Sequence, residues 1–238
     1  MPAGSACPVR LVPVLVLVLD SATPAVTAAL ARIGSGPGEP VDLLATRVTV
    51  DARAHAELLA PQVQAVLDAG GVTPAELSAV VAGVGPGPFT GLRVGLVTAV
   101  ALGQALSIPT YGVCSLDAVA FGQRGRVLVA TDARRKEVYW GCYADGVRLT
   151  GPDVNRPEAA ARRAAELAME RAVGDGALRY AEVLDVPVAG EPRYPQAAAL
   201  AALAADRVRG GAPSEPLTPL YLRRPDATVP GERKPVRT

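Results

Sequence analysis

The chain has 238 residues, half of them apolar, enough for one large lobe or two smaller ones with buried cores. Its 24 basic and 23 acidic residues leave a formal net charge of +1, so no global field would hold a nucleic acid or an anionic membrane, and any such contact must be local. Three cysteines, Cys7, Cys114 and Cys142, form no CxxC pair; they indicate neither a disulfide framework nor a cysteine-based zinc site, and read as reduced cytoplasmic thiols.

The apolar run Leu11 to Leu19 stops at Asp20. It is too short for a bilayer and lacks a small-residue cleavage site, so it predicts a buried strand over 14–20 rather than a leader. After a turn at Ser21 to Pro24, PAVTAALA pairs back on it as an antiparallel strand. A Gly/Pro loop covers 34–40, and VDLLATRVTV gives a third strand. From His55 to Ala69 the residues Leu58, Leu59, Val63, Val66 and Leu67 recur at helical spacing, and Gly70 and Gly71 end the segment. A short helix over 74–78 leads into the strand AVVAGVG, followed by the loop Gly85 to Pro88, a helix from Thr90 to Leu106, and a strand at Thr110 to Val113.

A second pass starts at Arg126 with VLVATDARRKEVYWGCYADG, which repeats the order of apolar strand, Asp, turn and second strand seen around Asp20, now at Asp132. A helix near Glu158 to Arg171, a strand near Ala172, an Ala-rich helix near Gln196 to Arg209 and a tail containing PLYLRRP follow. Alternating strands and helices predict an α/β fold, divided into lobes at 1–115 and 116–238.

The stretch GVGPGPFTGLRVGLVTAVALGQAL carries the most information. Gly85, Pro86, Gly87 and Pro88 make a tight turn, Phe89 offers an apolar anchor beneath it, and Thr90 can cap the next helix. Within that helix Gly91, Gly95, Ala99 and Gly103 recur every fourth residue as a ridge almost without side chains. Interior glycines each cost about 1 kcal/mol relative to alanine, so something must approach closely: the chain's own sheet or helix, or a partner's helix.

GPGPFTGLRVG, PTYGVCSLDAVA, TDARRKEVYWGCY and PLYLRRP, in this order, resemble the TsaB (YeaZ) family along almost the whole chain. Two departures are Pro88, where the family usually has Ser, and an N-terminal extension of about a dozen residues. The resemblance implies a two-lobed ASKHA fold, duplicated and actin-like, and a non-catalytic dimerisation subunit. Its partners would be TsaD, which transfers threonylcarbamoyl to the tRNA adenosine beside the anticodon, and the ATPase TsaE. ATP and metal would belong to those partners, with tRNA touched only indirectly, no membrane, and a homodimer when TsaD is absent.

The residues bear on that inactive status. Phosphate-cradling hairpins need glycine, yet the two turns read DSATP and DARRK. A histidine metal site needs at least two ligands, and His55 is the one histidine. Asp20 and Asp132 cap their turns or ligate magnesium; Arg134, with Arg135 and Lys136, is a solvated turn or a phosphate contact. By resemblance, the helices at 55–69 and 90–106 meet TsaD, with the small-residue ridge, Arg93, His55, Leu58 and Leu59 as contacts. On that reading Gly95→Leu abolishes pairing and spares the fold. The competing function is an ATP-binding phosphotransferase of the ASKHA type.

Overall fold

The computed structural model describes residues 14–36 and 38–223; the N-terminal extension and the basic tail beyond Arg223 lie outside them. The first sheet begins with β1 (Val14–Asp20), β2 (Ala25–Ile33) and β3 (Val41–Val50), an antiparallel meander. Helix α1 (His55–Gly70) and a 3-10 turn at Pro74–Glu76 lead to β4 (Ala79–Gly83), which lies parallel to β1. Helix α2 (Phe89–Leu106) then crosses to β5 (Thr110–Val113), parallel to β4, giving the order β3-β2-β1-β4-β5. Strand β1 is central, which is why VLVLVLD carries no alternation: its Val16, Val18, Leu17 and Leu19 are buried on both faces.

The second lobe repeats the plan. Helix α3 (Ser115–Ala120) enters it, followed by β6 (Arg126–Asp132), β7 (Val138–Ala144), β8 (Val147–Asn155), α4 (Pro157–Glu166) and β9 (Arg171–Val173). Its strand order, β8-β7-β6-β9, reproduces that of the first four strands of the first sheet, with the same antiparallel and parallel pairings. Among the described residues, the parallel bridge from Ala172 to Val188 stands in place of a fifth strand. Two lobes with this duplicated topology make the ASKHA fold. The short helices α3, α5 (Asp175–Arg179) and α6 (Ala181–Leu184), and strand β8, have no counterpart among the predicted elements.

Helix α7 (Ala197–Arg209) departs from the predicted division at 115/116. It packs on the first sheet, where Ala197, Leu200, Ala201, Ala204 and Val208 share a core with Val16, Val18, Ala29, Ala31 and Val81. Its alanines let the helix axis come close to the strands. Arg207 fixes the return: it pairs with Glu215 at 2.7 Å and donates to the Gly112 carbonyl at 3.1 Å. The other face of the sheet carries α1 and α2, and here Leu17, Leu19, Val26, Leu30, Leu59, Val66, Leu92, Leu96 and Ala99 form one core. By length and composition α2 could cross a membrane; in this fold its Leu92, Leu96 and Ala99 pack on strands.

Candidate functional site

Two features lie where the lobes meet and where α2 turns outward. The first is the pair of hairpin turns facing each other across the inter-lobe cleft, a cavity of about 500 Å³ lined by Ser21, Thr23, Arg53, His55, Asp132 and Arg134 among others. The second is the outer face of α2.

At the first turn the chain satisfies its own amides. Ala22 N donates to Asp20 Oδ1 at 3.1 Å, and Ala25 N donates to Thr23 Oγ1 at 3.3 Å. Asp20 is buried at the end of β1, where Ser115 Oγ donates to its Oδ2 at 2.7 Å. A Cβ on Gly83 would sit 1.8 Å from that oxygen, so glycine is required there. Ser115 also receives Gly85 N at 3.3 Å and donates its own N–H to the Gly85 carbonyl at 2.7 Å, tying the Gly/Pro loop to the entrance of the second lobe. Gly87 lies so close to Ala22 that a Cβ would meet its carbonyl oxygen at 2.3 Å. The Gly/Pro loop thus covers Ala22, while Ser21 and Thr23 remain in the wall of the cavity.

Burial pushes the Asp20 carboxyl from its ordinary value of 3.8 up to about 6, against the opposing hydrogen bonds from Ser115 and Ala22. The sign follows from linkage: a carboxyl whose folded pKa is raised favours the folded state when protonated, so that contribution is complete below pH 4 and is lost as pH climbs from about 4 to about 6. The difference is about 3 kcal/mol. Asp20→Asn should therefore melt higher than the parent protein at pH 8 and lose that advantage at pH 4. Asp175, also pushed up to about 6 by burial, titrates in the same window, so the difference between the two proteins is the quantity to compare.

The second turn holds Arg134, Arg135 and Lys136 at φ of 60°, 51° and 61°, left-handed values with no glycine present. Arg134 N donates to Asp132 Oδ1 at 3.3 Å, and Arg134 Nη2 reaches across the cleft to the Ala52 carbonyl at 3.3 Å. Asp132 Oδ2 pairs with Arg179 at 3.2 Å. Both acids expected at the turns thus cap backbone amides two residues on.

Several contacts expected from sequence are placed differently. The ridge of Gly91, Gly95, Ala99 and Gly103 is buried, and it faces this chain. Ser21 Oγ enters α2, accepting from Gly95 N at 2.9 Å and donating to the Gly91 carbonyl at 2.8 Å. A Cβ on Gly95 would lie 2.4 Å from that hydroxyl, and one on Gly103 2.6 Å from Thr110 Cγ2. Leu59 is in the core and Leu58 is half-buried beside it. His55 is buried too, its Nε2 2.8 Å from the Thr23 carbonyl; since that oxygen can only accept, Nε2 carries the proton. Thr90 is exposed in the first turn of α2 and caps nothing; Pro88 occupies the cap position, and its fixed φ of −60° suits a helix start. Phe89 is 47% exposed rather than beneath the turn.

What α2 does present outward is Arg93, Val97 and Val100, at spacings of four and three. Val97 is 66% exposed and Val100 38%. Tyr221, from PLYLRRP, lies against the start of this stripe, its ring 5.0 Å from Phe89. The sequence signal for Val97 and Val100 was available: they are the apolar residues opposite the glycines.

The sequence model of the family described as "TsaD: tRNA N6-adenosine threonylcarbamoyltransferase" matches residues 44–208. An uncharacterized protein of Mycobacterium tuberculosis is 50% identical over 213 residues, 89% of this chain and 93% of that protein. The tRNA threonylcarbamoyladenosine biosynthesis protein TsaB of Escherichia coli is 35% identical over 133 residues, 54% of each chain. The structure of YeaZ from Pseudomonas aeruginosa superposes with a TM-score of 0.71 at 30% identity, covering 88% of this chain and all of that one.

Proposed function

The chain belongs to the TsaB (YeaZ) family and so to tRNA threonylcarbamoyladenosine biosynthesis, and from that premise we propose that it is a non-catalytic subunit on which TsaD docks through the outer face of α2. The observation that carries this reading is the exposed stripe Phe89, Val97 and Val100 on a helix whose other side is already buried on its own sheet. Scattered apolar residues on a surface mean little, but a helical stripe of them marks a face that another element covers. The match of the TsaD family model across both α1 and α2 adds support: the partner has equivalent helices, and two related helix pairs can pack about a pseudo-two-fold axis.

The inactive role is supported by the cleft. The Ala22 and Ala25 amides at the first turn are held by Asp20 and Thr23, and Gly87 lies against Ala22, leaving few amides free to cradle a phosphate. On this reading ATP and metal are handled by TsaD and TsaE in the cytoplasm, and the chain touches tRNA only through them. Reconstitution tests it. Threonylcarbamoyl transfer to tRNA by TsaD and TsaE should require this chain, and the chain alone should give none; full transfer in its absence would sink the proposal. Calorimetric binding of magnesium ATP to the isolated chain would instead favour a phosphotransferase.

A further inference from the structure

We propose that Arg93 is the specificity contact of the α2 face, a guanidinium held in place by two aromatic rings to receive a carboxylate from the partner's helix; this rests on the reading that α2 meets TsaD. Its guanidinium carbon lies 3.7 Å from the centroid of the Phe89 ring and 5.8 Å from that of Tyr221. Its Nε donates to Tyr221 Oη at 2.8 Å. One edge of the planar fork is thereby fixed, and the terminal nitrogens remain for another acceptor. No carboxylate among the described residues pairs with Arg93. An exposed arginine normally loses side-chain freedom when it binds; one already clamped loses less, and its planar donors match a carboxylate.

The position of Arg93 sets the chemistry of the partner. It shares the outer stripe with Val97 and Val100, so the fitting surface is an amphipathic helix with apolar side chains and an acid about one turn from them. α2 itself reads FTGLRVGLVTAVALGQAL and contains no acid, so the carboxylate must come from another element.

Tyr221 adds a structural dependency. It belongs to the C-terminal strap, whose Leu217 packs in the first-lobe core and whose Leu220 and Leu222 pack against the second. The orientation of Arg93 thus depends on a segment anchored in both lobes.

The test is calorimetric titration of the full chain with purified TsaD at low and high ionic strength. Arg93→Ala should weaken binding about 10- to 30-fold and remove most of its salt dependence. Arg93→Lys, which keeps the charge but loses the Nε hydrogen bond to Tyr221 and the planar stack on Phe89, should recover only part of the affinity. Tyr221→Phe, which removes the orienting hydroxyl alone, should lose about threefold. If Arg93→Ala binds as tightly as the parent with the same salt dependence, while a charge placed at Val97 abolishes binding, this inference fails and the docking reading stands. If neither change matters, the docking reading fails and takes the inference with it.

Discussion

Gly95→Leu should unfold the first lobe rather than merely detach a partner, reversing the outcome expected from the ridge when only the sequence is read. The first added carbon already falls 2.4 Å from Ser21 Oγ, far inside contact distance, and three more carbons have no space to enter. Overpacking of this kind commonly destabilises by about 1–3 kcal/mol. Here it also displaces a buried hydroxyl that has two partners inside α2, adding a desolvation loss of about 1–3 kcal/mol. Their sum, several kcal/mol, is comparable with the whole stability of an ordinary domain. Thermal melting followed by circular dichroism should show a transition lowered by about 5–20 °C, or none. Gly95→Ala combined with Ser21→Gly should recover part of the loss, because the atoms in collision are then gone. A melting temperature within a couple of degrees of the parent for Gly95→Leu would mean that the ridge does not face inward.

Val97→Asp should have the opposite profile, with an intact fold and no partner. At 66% exposure the substitution leaves the monomer within about 0.5 kcal/mol of the parent. In a docked α2 face the carboxylate would be taken from water into an apolar contact, and by pairing with Arg93 one turn before it would also occupy the cation offered to the partner, a penalty of about 3 kcal/mol or more. That corresponds to more than about a hundredfold in affinity. Co-elution with TsaD should vanish at micromolar concentration, and threonylcarbamoyl transfer in the reconstituted system should fall with it. A dissociation constant within threefold of the parent would remove α2 from the interface.

Most of the architecture was legible because its signals are local. An apolar run closed by an acid gave β1, its recurrence around Asp132 gave the duplicated lobe, and helical spacing from His55 gave α1. The return of α7 was not legible. An Ala-rich helix packs equally well on either sheet, and only the tertiary arrangement, secured by Arg207 and Glu215, selects the first. The site was misread for a related reason. Glycines at four-residue spacing report that something approaches the helix, and say nothing of its origin. The visitor is Ser21, an unremarked hydroxyl some seventy positions upstream. Once the glycines are assigned to the interior, the outer stripe follows from 3.6-residue periodicity, and Val97 and Val100 take the place given to Gly95 and Ala99. Thr90 was a reasonable cap by residue type, displaced because Pro88 already starts the helix.

The return of α7 has a consequence during synthesis. While the chain emerges from the ribosome, the sheet formed by residues 14–113 is complete long before residues 197–209 exist to cover its second face. Val16, Val18, Ala29, Ala31 and Val81 wait uncovered through the making of the whole second lobe. A nascent or truncated first lobe is therefore a sticky half-layer, a client for chaperones, and the molecule becomes two finished lobes only when its last helix arrives.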